Sequence, residues 1–277
     1  MKGYLYVVST PIGNLEDITL RALRVLKEVD IIAVEDTRRT IKLLNHFEIS
    51  KPMISYYREK ERVRSQEVID KLNDGFSAAL VTDAGTPGIS DPGEVLVRDA
   101  IAAGISVIPI PGATAHTAAL SISGLPTVRF TFAGFLSSKP THRKKQLEQL
   151  RGIEHTIVFY EAPHRILEFL DDLLDVLGNR EMSLSREITK MYEETIRGTV
   201  AEVLEEIKER KIAGEYVAVV AGIEPVSVSF EDALREVKEL ISAGAKRKEA
   251  VEEVSAATGI SKKLLYKESI ESAAGSI

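Results

Sequence analysis

The sequence predicts an α/β protein: two successive α/β units over residues 1–122 and 123–226, followed by a small helical appendix over 227–277. Three observations predict it. Strand-like apolar runs alternate with amphipathic helical segments through the first unit. Most of those runs are apolar throughout, as strands are when helices cover both faces of a mainly parallel sheet. After Gly124-Leu125-Pro126 the pattern changes, and beyond Pro225 the chain is charged and helix-forming.

Taken in order, Gly3 to Val8 is β-branched and aromatic, and Ser9 to Asn14 breaks it, giving strand then loop. Asp17 is expected to cap a helix that carries Leu20, Leu23, Leu26 and Val29 at helical spacing. Ile31 to Val34 is a short buried strand ending at Glu35-Asp36, and Met53 to Tyr57 is another. Residues 61–74 form an amphipathic helix stopped by Gly75. Ala78 to Thr82 is a strand that runs into the Gly/Pro-rich loop Asp83 to Gly88. A helix over Glu94 to Ala103 ends at Gly104, and the strand Val107 to Ile110 runs into Pro111-Gly112.

In the second unit, strands are expected at 130–135, 156–160, 182–188, 194–200 and 216–221, with helices at 142–151, 164–177 and 200–210. Strand direction there is not legible. Pro225 ends the unit, and the tail from 230 is helical with breaks at Gly244 and Gly259.

The composition narrows the function classes. An apolar fraction of 44% and a charged fraction of 28% are those of an ordinary globular protein. The absence of cysteine removes disulfides, thiolate nucleophiles and Cys-ligated zinc, and fits a reducing compartment. No apolar run approaches the ~18 residues of a membrane span. Met1-Lys2-Gly3-Tyr4 enters a strand at once, so no signal peptide and a cytoplasmic location are expected.

The net charge of −6 counts against wholesale nucleic-acid binding, because phosphate contacts need Lys and Arg. The basic residues are nevertheless clustered: Arg38-Arg39; Arg58, Lys60, Arg62 and Arg64; Lys139, Arg143, Lys144 and Lys145; Lys246 to Lys248. Each cluster is either a solvated face or part of a convergent nucleic-acid-binding surface.

Ligands of open parallel sheets bind outside the carboxyl ends of the strands. Three loops leave strand ends there with Pro and Gly: Pro11-Ile12-Gly13-Asn14, Asp83 to Gly88, and Pro111 to Thr114. Gly admits a close ligand and Pro holds a loop rigid. Three such loops in one unit, each with a polar side chain beside the Gly, predict a binding crevice. None is a G-x-G-x-x-G or P-loop pattern, so a pyrophosphate cofactor is not expected, and an adenosyl sulfonium fits better.

Glu35-Asp36-Thr37-Arg38-Arg39 follows a buried strand and is either a self-satisfied ion-pair network or a site. Tyr160 to Arg165 is similar in character. The five histidines lack zinc spacing, so no metal is expected, and the common Ser, His and acid residues support no triad.

Several stretches resemble the ribosomal RNA methyltransferases of the tetrapyrrole methylase superfamily. They are Tyr4 to Ile18, Glu35 to Arg38, Val81 to Gly93, Pro111-Gly112, Gly134 to Leu136, Phe159 to Arg165 and Arg186 to Lys190. Ala113-Thr114-Ala115 departs from the Pro-Ser-Ala that is commoner after the Pro-Gly. The resemblance implies α/β domains of tetrapyrrole methylase type, with S-adenosylmethionine (SAM) in the cleft between them and usually a homodimer. It implies 2′-O-methylation of a cytidine in the decoding region of small-subunit (16S) rRNA, free or assembled in the subunit.

Carried over by motif, the cofactor contacts are Pro11, Gly13, Asn14, Asp83, Gly85, Thr86, Pro87, Gly112, Ala113, Thr114, Ala115 and Tyr160. Glu35, Asp36 and Glu161 are the candidate proton acceptors, with Arg38 positioning phosphate. Arg39, Lys139, Arg143, Lys144, Lys145, His164 and Arg165 are the candidate RNA contacts, the first lysine opening a loop that clasps RNA. Methylation of a tetrapyrrole or other small acceptor, and a non-catalytic RNA-binding factor, are the competing expectations.

Overall fold

The computed structural model describes residues 2–223, 229–258 and 260–274, in two compact units, Met1–Ile223 and Glu224–Ile277. The expected breaks at Pro225 and Gly259, and the boundary at 226/227, lie outside the described residues.

Five strands, β1 (Tyr4–Val8), β2 (Ile31–Val34), β3 (Met53–Ser55), β4 (Ala78–Val81) and β5 (Ser106–Ile110), form one sheet in the order β3-β2-β4-β1-β5. Every neighbouring pair is parallel. Successive residues of a strand face opposite ways, so an unbroken apolar run feeds two cores. On one face Leu5, Ala33, Ala78 and Leu80 pack with Val68 and Leu72 of α3 (Glu61–Asn73) and Leu96 of α4 (Glu94–Ala102). On the other, Val8, Ile32, Val34 and Ala79 meet Val25 and Leu26 of α1 (Leu20–Glu28) and Leu44 of α2 (Thr37–His46).

Two local details differ from the sequence expectation. Thr19, not Asp17, caps α1, its hydroxyl accepting from the Ala22 N–H; Asp17 lies in a preceding 3₁₀ turn. The acid–base run after β2 opens α2, which Asp36 caps by accepting from the Arg38 N–H at 2.8 Å.

The second sheet contains β6 (Phe130–Phe135), β7 (Thr156–Glu161), β8 (Glu181–Arg186), β9 (Glu194–Thr199) and β10 (Tyr216–Val220), ordered β6-β7-β10-β8-β9. Only β6 and β7 are parallel; the remaining pairs are antiparallel. α5 (Ala115–Ile122) leaves the end of β5 and covers one face of this sheet, Ala119 and Leu120 meeting Val158, Val217 and Val219. The opposite face packs against α6 (Pro140–Leu150), α7 (Ile166–Leu177) and α8 (Val200–Lys208) through Leu147, Phe169, Leu173 and Val203. α5 therefore starts at the carboxyl edge of the first sheet and is buried on the second.

The C-terminal unit contains α9 (Phe230–Ser242), α10 (Arg247–Thr258) and α11 (Lys262–Ala274), around Ala233, Val237, Val251, Val254 and Leu265. Gly244, at φ 101°, breaks the helical run between the first two, as its position in the sequence suggests.

Candidate active-site cleft

β1 lies between β4 and β5, and β4 between β1 and β2, so the loops that follow all four strands are neighbours at one edge. They are bonded together. The Thr10 N–H donates to the Gly85 carbonyl at 2.9 Å and the Gly85 N–H returns the bond at 3.1 Å. Gly85 has φ +82°, a conformation other residues rarely adopt. The Ser9 and Thr86 hydroxyls meet at 2.7 Å. Gly112 lies so close to Ser9 that a Cβ there would stand 2.9 Å from the Ser9 Cβ.

Above these loops is a cavity of about 160 Å³ whose far wall comes from the second sheet. Gly85, Thr86, Asp91, Thr114 and Ala115 line one side; Phe135, Tyr160, Glu187 and Lys190 line the other. The Tyr160 hydroxyl accepts the His116 N–H at 3.1 Å and lies equally close to His116 Nδ1. The His116 ring stacks on Phe132, with centroids 4.5 Å apart. Burial pushes the Tyr160 phenol up to about 12 and holds the His116 imidazole below its usual value. Tyr160 therefore stays protonated and serves as a neutral hydrogen-bonding post.

Backbone strain collects around this cavity. Ser90 (φ 69°), Glu187 (φ 50°) and Thr189 (φ 69°) are non-glycine residues at positive φ in its wall or beside it. Such conformations cost on the order of 1–3 kcal/mol each and tend to cluster at functional sites.

The electrostatics are those of crowded carboxylates. Asp91 is pushed up to about 7, first by burial and then by the charges of Glu35 and Asp83. Glu35 and Asp83 are raised too, each mainly by burial. Asp36 goes the other way, because Arg38 hydrogen-bonds its carboxylate through both side chain and backbone. Lys190 ties Glu187 at 2.9 Å to the cavity wall and packs on Gly13, where a Cβ would come within 2.5 Å of its Cγ.

The expected site residues divide accordingly. Gly85, Thr86, Thr114, Ala115 and Tyr160 line the cavity. Gly13 and Gly112 support its loops from behind, Asn14 caps the turn Leu15–Asp17, Pro87 is buried in the β4–α4 connection, and Ala113 adjoins Gly85. Pro11 and Asp83 line a second cavity beside α2, together with Arg39. Glu35 and Asp36 contact Asp83 rather than the first cavity.

Several expectations are corrected. Residues 140–150 are helical, so Lys139 opens no clasping loop but caps α6. Arg143 is 1% exposed, its Nε donating to Asp172 at 2.6 Å, and cannot reach RNA. Lys144 is drawn onto Asp175 at 2.7 Å and Asp172 at 3.5 Å, while Lys139 and Lys145 are exposed. Glu161 is buried on the face of β7 opposite Tyr160 and paired with Arg165 at 2.6 Å, so it does not line the cavity as a proton acceptor. Arg165 is held inward by that pair, whereas His164 is exposed.

Asp91, His116, Glu187, Lys190 and Glu215 line the cavity without having been singled out. Asp91, Glu187 and Lys190 lie inside the motif stretches Val81 to Gly93 and Arg186 to Lys190, which was a usable signal; nothing marks Glu215.

Among the described residues no cluster of His, Cys, Asp and Glu could hold a metal ion, and no helix is long and apolar enough to cross a membrane. The fold has known counterparts. The chain belongs to the tetrapyrrole (corrin/porphyrin) methylase family, whose model matches residues 4–204. Within that family it is similar to the protein named ribosomal RNA small subunit methyltransferase I from Halalkalibacterium halodurans, 48% identical over 96% of this chain and 94% of that one. The protein of the same name from Bacillus subtilis is 44% identical over 95% and 93% of the two chains. Among solved structures, diphthine synthase superposes with a TM-score of 0.60 at 18% identity, covering 79% of this chain and 90% of that one. Uroporphyrin-III C-methyltransferase from Thermus thermophilus, complexed with S-adenosyl homocysteine, gives 0.56 at 20% identity, covering 79% and 97%. Those two structures speak to the fold alone.

Proposed function

We propose that this chain is a SAM-dependent methyltransferase acting on small-subunit rRNA, where it methylates the ribose 2′-oxygen of a cytidine in the decoding region of 16S rRNA. The activity and the rRNA substrate rest on relatives that share 44–48% identity over nearly the whole chain. The nucleotide and the oxygen rest on the resemblance of the loop motifs. A cytoplasmic homodimer, and a division of labour among 1–122, 123–226 and 227–277, belong to the same proposal. The observation that carries it is the double engagement of Asp83. Its loop runs on to the cavity-lining Gly85 and Thr86, while its carboxylate accepts the Asp36 N–H at 3.2 Å and meets the Arg39 guanidinium at 3.4 Å. A cofactor pocket and a basic rim are thus joined through one loop.

The residues fit SAM. Ile12, Ile188 and Val217 offer apolar wall to an adenosyl group, and Asp91, Glu187 and Glu215 offer carboxylates to a cation, with Lys190 the lysine among them. The bound cofactor supplies an activated methyl group. The protein's task is to align the acceptor oxygen, and well-oriented proximity is worth ~7–11 kcal/mol. Asp91 takes the hydroxyl proton in this scheme: it lines the cavity and titrates at about 7, the poise a general base needs. Burial holds it there, with the charges of Glu35 and Asp83 adding to the effect. Arg38 and Arg39, both exposed, hold phosphate.

Tetrapyrrole methylation is the weaker reading, since an exposed arginine pair beside the cleft suits a phosphate-bearing acceptor. The test is transfer of tritiated methyl from SAM to small ribosomal subunits from a strain lacking the protein, with the label mapped by nuclease digestion. Label on a cytidine ribose is expected. Label that survives RNase, or no label despite SAM binding, would overturn the rRNA assignment.

A further inference from the structure

A second cavity, of about 180 Å³, lies on the other side of the Thr10–Gly85 bridge, between the β1 and β4 loops and α2. Arg39 and Lys42 stand at it as cations, Leu15 and Leu43 as half-buried or exposed apolar wall, and Asp83 as its one carboxylate. Asp83 is engaged by Arg39 and by the Asp36 N–H; Lys42 has no ion pair among the described residues.

The interior carries an unmet demand. Thr40 lines this cavity, is 4% exposed, and its Oγ1 has no hydrogen-bond partner. Its neighbours are not in that position, since Thr10 Oγ1 donates to the Thr82 carbonyl at 3.1 Å. A buried hydroxyl left unpaired is costly and calls for a partner. A ligand that fills the space beside Thr40 can supply that partner. A ligand that satisfies the set has an anionic group for Lys42 and Arg39, an apolar face for Leu15 and Leu43, and a hydrogen-bonding oxygen for Thr40. One nucleotide unit of a single-stranded RNA has all three.

We infer that this cavity is a subsite for the nucleotide flanking the one methylated, with its phosphate on Arg39 and Lys42 and a sugar or base oxygen on Thr40 Oγ1. The inference rests on the rRNA reading and adds a place where RNA register is fixed, one loop away from the cofactor cavity. Asp83 faces the Arg39 guanidinium at 3.4 Å and holds it in place at the rim.

The test is fluorescence anisotropy with a labelled hexacytidylate as the probe, on the full chain and on Thr40→Val, Thr40→Ser and Lys42→Ala. Thr40→Val and Lys42→Ala should each weaken binding about three- to tenfold, and Lys42→Ala should lower the salt slope by about one. Thr40→Ser, which keeps the hydroxyl, should bind as the parent does. Calorimetric SAM affinity should stay at the parent value in all three, which also shows them to be folded. Parent-like hexacytidylate affinity in the double variant Thr40→Val/Lys42→Ala, or no binding by the parent protein, would overturn the subsite. Failure of the wider reading appears separately, as absence of tritium transfer to small subunits by the parent.

Discussion

The backbone N–H of Asp83 donates to the Glu35 carboxylate at 3.3 Å, and the adjacent Asp36 N–H returns a bond to Asp83 Oδ1 at 3.2 Å. These two bonds clamp the exits of β2 and β4, which lie side by side in the sheet. They also hold carboxylates together that would otherwise separate. Charge crowding is thereby built into the edge of the cleft, and Asp91 feels it through both Glu35 and Asp83.

A pH–rate consequence follows from that arrangement. With Asp91 as the proton acceptor, methyl transfer should rise with pH through an ionisation near the value of about 7 that Asp91 carries. Glu35→Gln removes one of the like charges and should move that midpoint downward, with SAM affinity retained. Asp91→Asn should abolish the ionisation and lower the rate by about 10²–10⁴-fold. Steady-state profiles with small subunits as acceptor measure both; an unshifted midpoint in Glu35→Gln would remove the coupling.

The same group affects stability. The Asp91 carboxyl moves from 3.8 to about 7 on folding, so between those values the folded chain keeps a proton that the unfolded chain has released. Its contribution is complete below about pH 4 and is lost as pH rises through about 7. Asp91→Asn, which cannot ionise, should therefore gain on the parent in thermal unfolding as pH rises from about 4 to about 8. A constant difference across that range would mean that Asp91 is not perturbed by folding.

Arg143 offers a sharper stability test, because it joins α6 to α7 from inside. Its Nε bonds Asp172 at 2.6 Å, and both side chains are largely out of water. Arg143→Ala removes the close partner of the buried Asp172, leaving it only the longer contact to Lys144 at 3.5 Å, and should cost about 3–5 kcal/mol in urea unfolding. RNA affinity, measured under conditions where the variant is folded, should not change. Lys145→Ala, at an exposed position, should show the opposite pattern, with normal stability and any effect confined to binding.

How much of this was legible in the sequence depended on range. The parallel sheet was readable because β2 and β4 are apolar at every position, which only a doubly covered strand requires. The binding edge was readable from Pro and Gly in three loops. Strand direction in the second sheet was not, since neither the apolar runs of β7 and β10 nor the alternating pattern of β8 depends on which way the strands pair. Arg143 and Lys145 illustrate the same limit at a single residue. Both sit in one basic run, and only the approach of α7, from about 29 residues away along the chain, buries one and leaves the other in water. Helix α2 was hidden because its first turn is polar and its cap, Asp36, also reads as a catalytic acid.

Arg38 separates substrate from cofactor. Its guanidinium is 88% exposed and forms a two-bond contact with Asp36, Nε to Oδ1 at 3.2 Å and Nη2 to Oδ2 at 2.9 Å. The pair depresses the Asp36 carboxyl, which makes Asp36 a poor proton acceptor and a good holder of the arginine. A phosphate arriving from solvent meets a preoriented guanidinium that it can share with, or take from, the carboxylate. Arg38→Ala should therefore abolish methylation of small subunits while the calorimetric affinity for SAM stays at its parent value, because neither residue lines the cofactor cavity. Asp36→Ala should give the same split, through a loosened Arg38 and a frayed start to α2, whose lost cap also costs about 0.5–2 kcal/mol of stability. Full activity in both variants would place the acceptor elsewhere on the cleft. Loss of SAM binding in either would mean that the basic rim and the cofactor cavity, joined by the loop that carries Asp83, are not separable features.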